Sequence, residues 1–588
     1  MKLSDPLDSE PQDAQIFDDL ISNLRQTFFN YIKSGQESTD LTLDYLSPSQ
    51  ISDLVSLNPT DAGSGQNGII FLISQLLYRP PKLLVEISFC NNFYLLIGIV
   101  QDVINILKYS PNTWNPGFMH KLYSSTSAIG VIGELVTAIM NSNGHIYLAS
   151  PFASTVEILL SKKLGVLFGY DESKCGGLTC PGGSYSNNLA LLVARNYYFP
   201  YAPLYGFALT DSEKILFDFK QPVIFTSNQS HYSIEKSVMM LGLGKRNIVF
   251  VKSGVSGVMD SADLEFKVSA AISEGKKPFF VNATAGTTVL GQFDPIKPIS
   301  EICQKYDMWL HVDASLGGSL VFSKSQNYKE KLDGSGSANS ITFNPHKLLG
   351  VPLQCSYLLV RDGLSGVRKQ VSTNANYLYH KDDEIPSPQC TAESNSNKNY
   401  FGNNAECWDI GDATIGCGRK PDSLKMWLSW RYFGYDGFAT RVDNSLKSAS
   451  TFSKLINSLP DFYLFRTPTS NIVCFYYVPP SQKNHCFSGS QSLNGTSSRI
   501  DSLPIVHDES RLDFPEIWGT FTKSICKDIN SRGKVLIDFA SINLSKSSGE
   551  LVRIPEFFRI PFNSPFFSIS HLHVIIDQIS SSALSLYP

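Results

Sequence analysis

Between about residues 120 and 365, short apolar runs bounded by turn residues alternate with longer stretches of helical periodicity. The runs PVIFTS (222–227), IVFVKS (248–253), PFFVNA (278–283), MWLHVD (308–313), SITFN (340–344) and SYLLVR (356–361) read as strands. Strands alternating with helices predict a mostly parallel sheet covered on both faces. After about 430 the texture changes: a helix at roughly 437–458 leads to NIVCFYYVPP, a polar stretch, FFRIPFNSPFF and a terminal helix. This part predicts a smaller α+β domain. The expected division is 1–114 as a tail and helical segment, 115–430 as a large domain and 431–588 as a small C-terminal one. Polar stretches at 1–15, 381–406 and 481–511 read as a loose tail and two loops.

In an open α/β sheet, ligands bind beyond the carboxyl ends of the strands. The polar residues there are 184–187, His231, Thr287, Asp313 and the NPHK segment at 344–347. Lys347 stands directly after a strand, where an amine can condense with an aldehyde cofactor. Most lysines are solvated surface groups, so its weight comes from Asp313, 34 residues upstream at the end of the preceding strand. An aspartate there suits the ring nitrogen of pyridoxal 5′-phosphate, because a buried carboxylate favours the protonated ring. The segment CPGGSYSNN offers Gly182 and Gly183 for close backbone approach, with Ser184, Tyr185 and Ser186 opening a helix whose positive end suits a phosphate. The absence of GxGxxG and GxxxxGKS patterns argues against dinucleotide and P-loop sites. His231 suits a platform against the cofactor ring or a satisfied core histidine, and Thr287 a cofactor hydrogen bond or a turn.

Composition narrows the alternatives. The chain has 588 residues, 42% hydrophobic and 17% charged, with a formal net charge of −4. That is globular, long enough for more than one domain, and lacks the basic excess of a nucleic-acid binder. The acidic N-terminus carries neither signal core nor transit pattern. The most apolar stretch, roughly 83–107, is broken by Glu86, Asn91, Asn92, Gln101 and Asp102, which reads as a buried helix and not a membrane span. Eleven scattered cysteines suit a reducing cytoplasm and no disulfide framework. No metal site is predicted, since four convergent ligands are not evident.

Eight segments, CPGGSYSN, SHYSIEKSVMMLGLG, NATAGTTVLGQFDP, HVDAS, NPHKLLGVPLQCS, NYLYH, GCGRKPDSLKMWLSW and NIVCFYYVPPS, stand in the order found in group II pyridoxal-phosphate decarboxylases. From about Asn115 onward the chain resembles the branch holding glutamate decarboxylase and cysteine sulfinate decarboxylase. The resemblance implies the aspartate-aminotransferase-like type I fold, a homodimer, and conversion of an amino acid to an amine and carbon dioxide. It implies that Lys347 carries the cofactor, Asp313 faces its ring nitrogen and His231 stacks on the ring. Ser184, Ser186, Asn344 and His346 are placed at the phosphate. Tyr377, in NYLYH, matches a mobile-loop tyrosine that returns a proton after carbon dioxide leaves, and Arg559, in FFRIP, an arginine that binds a substrate carboxylate. For Arg559 the alternative is a salt bridge to a protein carboxylate.

The chain departs from the family pattern at Ser315 and Leu316, where relatives carry alanine and tryptophan. Lys121 and Tyr123, in HKLYSS, replace the glutamine and serine of glutamate decarboxylases; cysteine sulfinate decarboxylases are similar in having an aromatic residue at the second position. A lysine and an aromatic residue there favour a short acidic substrate, cysteine sulfinate or aspartate, over glutamate. An aromatic or diamino acid remains the alternative, as do transamination, aldol-type cleavage and a non-catalytic dimer of this fold.

Overall fold

The computed structural model describes residues 12–37, 91–373, 375, 377–379, 408–483, 512, 514–565 and 567–588. By internal contacts the chain forms two compact units: 1–118 with 527–537 and 568–582, and the larger 119–526 with 538–567 and 583–588.

The larger unit is organised on a mixed seven-stranded sheet. Its strands are β1 (Gly176–Cys180), β2 (Pro222–Ser227), β3 (Ile248–Val251), β4 (Lys277–Thr284), β5 (Trp309–Ala314), β6 (Ser340–Phe343) and β7 (Ser356–Val360), in the order β1-β7-β6-β5-β4-β2-β3. Strands β3, β2, β4, β5 and β6 pair in parallel, while β7 runs antiparallel to both β6 and β1. This is the mostly parallel sheet expected, and all six predicted runs form strands.

Alternation along the strands separates two cores. Val281, Leu310, Val312, Ile341, Phe343 and Leu359 face one side, against Leu164, Leu264, Ile299 and Val442. Ile224, Phe280, Trp309, Leu358 and Val360 face the other, against Leu189, Ile234 and Val367. The helices that supply these partners include Pro151–Leu167, Gly183–Tyr198, Ser233–Met240, Ser261–Ser273, Ile296–Lys305 and Gly363–Val371. The Ser261–Ser273 helix has a local start signal: the Asp260 carboxylate accepts from the amides of Ala262 and Asp263.

A second sheet carries β8 (Phe462–Leu464), β9 (Ile472–Tyr477), β10 (Asp538–Ser545) and β11 (Leu551–Pro561), antiparallel throughout in the order β10-β11-β9-β8. The helix expected at 437–458 begins earlier, spanning Ser423–Asn457 with a break at Gly434 (φ 63°, ψ −172°).

Two expectations change. A helix starts at Gln12, inside the stretch read as a tail. The apolar segment forms the helix Asn91–Lys108, but none of residues 99–108 is fully buried; Val100, Val103, Ile104, Asn105 and Leu107 are half-buried and the others exposed. Among the described residues no helix is long and apolar enough to cross a membrane. The polar stretch 381–406, and 481–511 beyond Lys483, lie outside the described residues.

Candidate active site

Asp313 sits at the carboxyl end of β5 and is 4% exposed. Its Oδ2 accepts from Asn187 Nδ2 at 2.9 Å and its Oδ1 from the Ser315 amide at 3.1 Å. Burial alone would raise its pKa, but the Lys347 charge, the Ser315 hydrogen bond, His231 and Asn187 together hold it below the usual carboxylate value. It is therefore an anion in the fold at neutral pH. Lys347 follows β6, and its amine makes no hydrogen bond or ion pair among the described residues. Burial pushes its pKa down and the Arg559 charge adds to this, while Asp313 opposes it. An amine so placed loses its proton more readily than a solvated one, which is what nucleophilic attack on an aldehyde requires. His231, at the start of the segment after β2, is also lowered by burial, with Asp313 opposing. Asp313, His231 and Arg559 thus each lie within electrostatic reach of Lys347.

The turn after β1 forms a cradle. Gly182 has φ 94°, a conformation that favours glycine, and the Gly183–Tyr198 helix starts from it. A Cβ placed on Gly183 would lie 2.7 Å from both Asn344 Nδ2 and Ser315 Oγ, so two side-chain polar groups converge where this backbone carries no side chain. Ser186 Oγ lies 2.8 Å from Ser356 Oγ, which in turn donates to Asn344 Oδ1 at 2.6 Å. Ser184 is exposed at the helix start. The helix N-terminus and these groups suit an anion. His346 is buried, with Nδ1 2.5 Å from the Cys355 carbonyl oxygen, and burial pushes its pKa down to about 4, leaving the ring neutral.

Other predicted residues are engaged differently. The Tyr185 hydroxyl accepts from the amides of Ile415 and Gly416 at 3.1 and 3.2 Å, which directs the phenol toward that segment. Thr287 is buried and its hydroxyl accepts from the Gln292 amide at 3.0 Å, the turn role named as its alternative. Tyr377 is 86% exposed. Arg559, on β11, donates Nε to the Thr288 carbonyl at 3.0 Å and Nη1 to Asp538 Oδ2 at 3.2 Å. Lys121 Nζ reaches the same Asp538 oxygen at 3.0 Å, and His120 Nε2 lies 3.8 Å from the other. The salt bridge weighed for Arg559 therefore exists, while its Nη2 keeps no acceptor among the described residues. Tyr123 is half-buried two residues beyond Lys121.

Two contributors escaped the sequence reading. Asp538 carried no signal, because only the β10–β11 register puts it opposite Arg559. Asn187 stood among the polar residues beyond strand ends, yet nothing in the sequence tied it to Asp313.

Residues 95–391 and 388–478 match the pyridoxal-dependent decarboxylase conserved domain. The chain belongs to this family. It is an amino-acid decarboxylase that uses pyridoxal phosphate. An L-aspartate decarboxylase of Metarhizium robertsii is 40% identical over 386 residues, covering 65% of this chain and 70% of that one. A glutamate decarboxylase-like protein of Gibberella zeae is 35% identical over 456 residues, covering 74% of this chain and 85% of that one. The crystal structure of mouse CSAD, a cysteine sulfinic acid decarboxylase, superposes with a TM-score of 0.75 at 25% identity, covering 98% of this chain and 99% of that one.

The decarboxylase has groups that fit the cofactor. At Gly183 the missing side chain brings the helix N-terminus against the polar groups of Asn344 and Ser315, a donor-rich setting that suits a phosphate; Lys347 offers an unpaired amine, and Asp313 a buried anion for a protonated ring nitrogen. Ser315, noted as a departure from the family's alanine, adds a hydroxyl to that cradle.

Proposed function

We propose that this decarboxylase acts on a short acidic amino acid, aspartate or cysteine sulfinate, ahead of glutamate. The observation that carries the reading is the convergence of Lys121 and Arg559 on one oxygen of Asp538, at 3.0 and 3.2 Å. Two cations facing one carboxylate leave an excess of positive charge. An acidic side chain neutralises that excess, whereas a diamino acid adds to it. Sharing one oxygen also bounds the two nitrogens to about 6 Å apart by simple geometry, a span matched by two carboxylates on a short carbon chain. The relatives named for aspartate and glutamate, and the cysteine sulfinic acid decarboxylase structure, agree with this class.

Within this reading Arg559 Nη2 and Lys121 bind the two acidic groups of the substrate, and Tyr123 limits the length of the pocket. Lys347 would hold the cofactor through its amine, which burial makes readier to give up its proton than a solvated lysine. Bound pyridoxal phosphate supplies a ring that accepts the electron pair left when the bond to the departing carboxylate breaks. Asp313 keeps a proton on the ring nitrogen, and His231 covers one ring face. Ser184, Ser186, Asn344, His346 and Ser315 hold the phosphate. Tyr377 returns a proton to the substrate carbon. Its 86% exposure fits a residue that completes a site in a second copy of the chain.

A homodimer is supported by large apolar side chains left exposed close together in the sequence. On and after the helix Ala128–Met140, Val131, Ile132, Ile139, Met140, Leu148 and Phe152 are 43 to 65% exposed. Exposed apolar side chains of this size suit burial against a second copy of the chain.

Carbon dioxide release from a panel of aspartate, cysteine sulfinate, glutamate, an aromatic amino acid and a diamino acid tests the substrate class. The highest kcat/KM is expected for one of the two short acidic substrates. Preference for the aromatic or diamino acid would overturn the acidic reading.

A further inference from the structure

On the face of the first sheet that carries Asp313, alternate positions of two neighbouring strands are polar. They are His311 and Asp313 on β5, with Ser340 and Thr342 opposite them on β6. Buried polar groups need partners, and these find them in a chain whose direction is fixed from both ends. At one end the Trp309 indole, which can only donate, lies 2.9 Å from Ser340 Oγ. At the other the Asp313 carboxylate, which can only accept, lies 2.9 Å from Asn187 Nδ2. The amide nitrogen of Asn187 therefore faces Asp313, and its oxygen faces the Thr342 hydroxyl at 2.7 Å and His311 Nε2 at 3.0 Å. That oxygen needs a hydrogen on His311 Nε2. His311 Nδ1 is then left to accept from Ser340 Oγ, 2.8 Å away, whose hydrogen is free because the indole supplies its own. The second hydrogen of the Asn187 amide goes to Ser233 Oγ at 2.9 Å, and Ser233 passes its hydrogen to His231 Nδ1 at 2.9 Å. Burial pushes the His311 pKa down to about 4, consistent with a neutral ring between two neutral partners.

All four hydrogen-bonding positions of Asn187 are thus used, two to receive and two to hold. A flipped amide would set its NH2 against two donors and its oxygen against a carboxylate. We propose that Asn187 and His311 are positioning residues: a one-directional relay from Trp309 through Ser340, His311 and Asn187 fixes the Asp313 carboxylate and, through Ser233, the His231 ring. The proposal rests on Asp313 and His231 being the groups that face pyridoxal phosphate. Neither relay residue needs to touch the cofactor. Their effect is to hold two ring contacts, on opposite branches of one amide, in fixed orientations before the cofactor arrives.

The test compares His311→Leu with His311→Gln. Glutamine keeps a side-chain N–H that can reach Asn187 Oδ1, and leucine does not. Cofactor-depleted protein is titrated with pyridoxal 5′-phosphate, and the melting temperature of each depleted form is recorded to separate folding from binding. His311→Leu is expected to raise the Kd about tenfold or more, and His311→Gln to stay within about threefold of the unaltered protein. A folded His311→Leu protein that binds as tightly as the original overturns the relay, and so does equal impairment of both variants. A second measurement needs no leucine variant. In protein labelled with 15N-histidine, the His311 ring, identified by its loss in His311→Gln, should be neutral with its hydrogen on Nε2 between pH 6 and 8. A hydrogen on Nδ1, or a doubly protonated ring, overturns the assigned direction. If Asp313→Asn leaves cofactor binding unchanged, the cofactor-facing assignment fails instead, and carbon dioxide release by the unaltered protein tests the decarboxylase reading separately.

Discussion

Asp313→Asn is the substitution whose effect can be worked through furthest. The two side chains have the same shape, so packing at a residue only 4% exposed is kept. The chemistry is not kept. Asp313 uses both oxygens as acceptors, one for Asn187 at 2.9 Å and one for the Ser315 amide at 3.1 Å. Asparagine retains one acceptor, so one of these neighbours loses its partner, at a cost of about 1–3 kcal/mol. The variant also removes the negative charge that faces Lys347 and, with cofactor bound, the protonated ring nitrogen. Removing one partner of a buried charge pair costs about 3–5 kcal/mol. At about 1.4 kcal/mol per tenfold in rate, turnover should fall by roughly two to four orders of magnitude. The assay is carbon dioxide release at saturating substrate and cofactor, with the bound cofactor followed by its visible absorbance. A cofactor-loaded Asp313→Asn protein within tenfold of the original turnover would refute the role given to this carboxylate.

Further outcomes follow from the same structure. Tyr377→Phe should still release carbon dioxide but yield aldehyde and pyridoxamine phosphate, detected by an aldehyde assay; amine at the original rate with no such by-product would remove the tyrosine from the chemistry. Ile139→Glu, at a position 65% exposed, should shift the protein toward monomer in light scattering and lower activity with it; an unchanged dimer would place the interface elsewhere. His311 has a folded pKa of about 4 against an ordinary value of 6.5, so the unfolded chain binds the extra proton between them and stability falls as pH drops through that window. In urea titrations of cofactor-free protein, His311→Gln should therefore flatten the dependence of stability on pH between 4 and 6.5 by about 1.4 kcal/mol per pH unit. Parallel curves for the two proteins would mean that the ring is charged in the fold.

What could be read from the chain depended on how local the cause was. The six predicted strands are continuous apolar runs with turn residues at their ends, and each formed. Strand β1 was missed because its sequence is GGLTC: a Cβ on Gly177 would lie 2.4 Å from the Leu358 carbonyl oxygen, so the glycine serves the close approach of β7 rather than any strand preference of its own. The helix at 423–457 was read from 437 onward because Gly434 interrupts its first part. The closeness of Asp313 and Lys347 was legible because each sits beside its own strand end. The Asn187–Asp313 contact spans 126 positions and the Asn187–His311 contact 124, so neither leaves a local trace. Alternation in HVD and SIT would have put His311, Asp313, Ser340 and Thr342 on one face, but the helix that meets that face is set only by the fold. The Asp538–Arg559 pair depended on a cross-strand register that the intervening sequence does not specify.

The division of the larger unit into two sheets has an evolutionary consequence. Asp313 ends a strand of the first sheet and Lys347 follows another, while Asp538 and Arg559 lie opposite each other on β10 and β11 of the second. Under the proposed roles, mutations that retune which amino acid is accepted can accumulate at the second sheet and the nearby 121–123 segment while the machinery common to every substrate stays untouched on the first. A lineage can change its diet without relearning its chemistry, and a directed-evolution library confined to Lys121, Tyr123 and Asp538 should move selectivity while leaving cofactor loading intact.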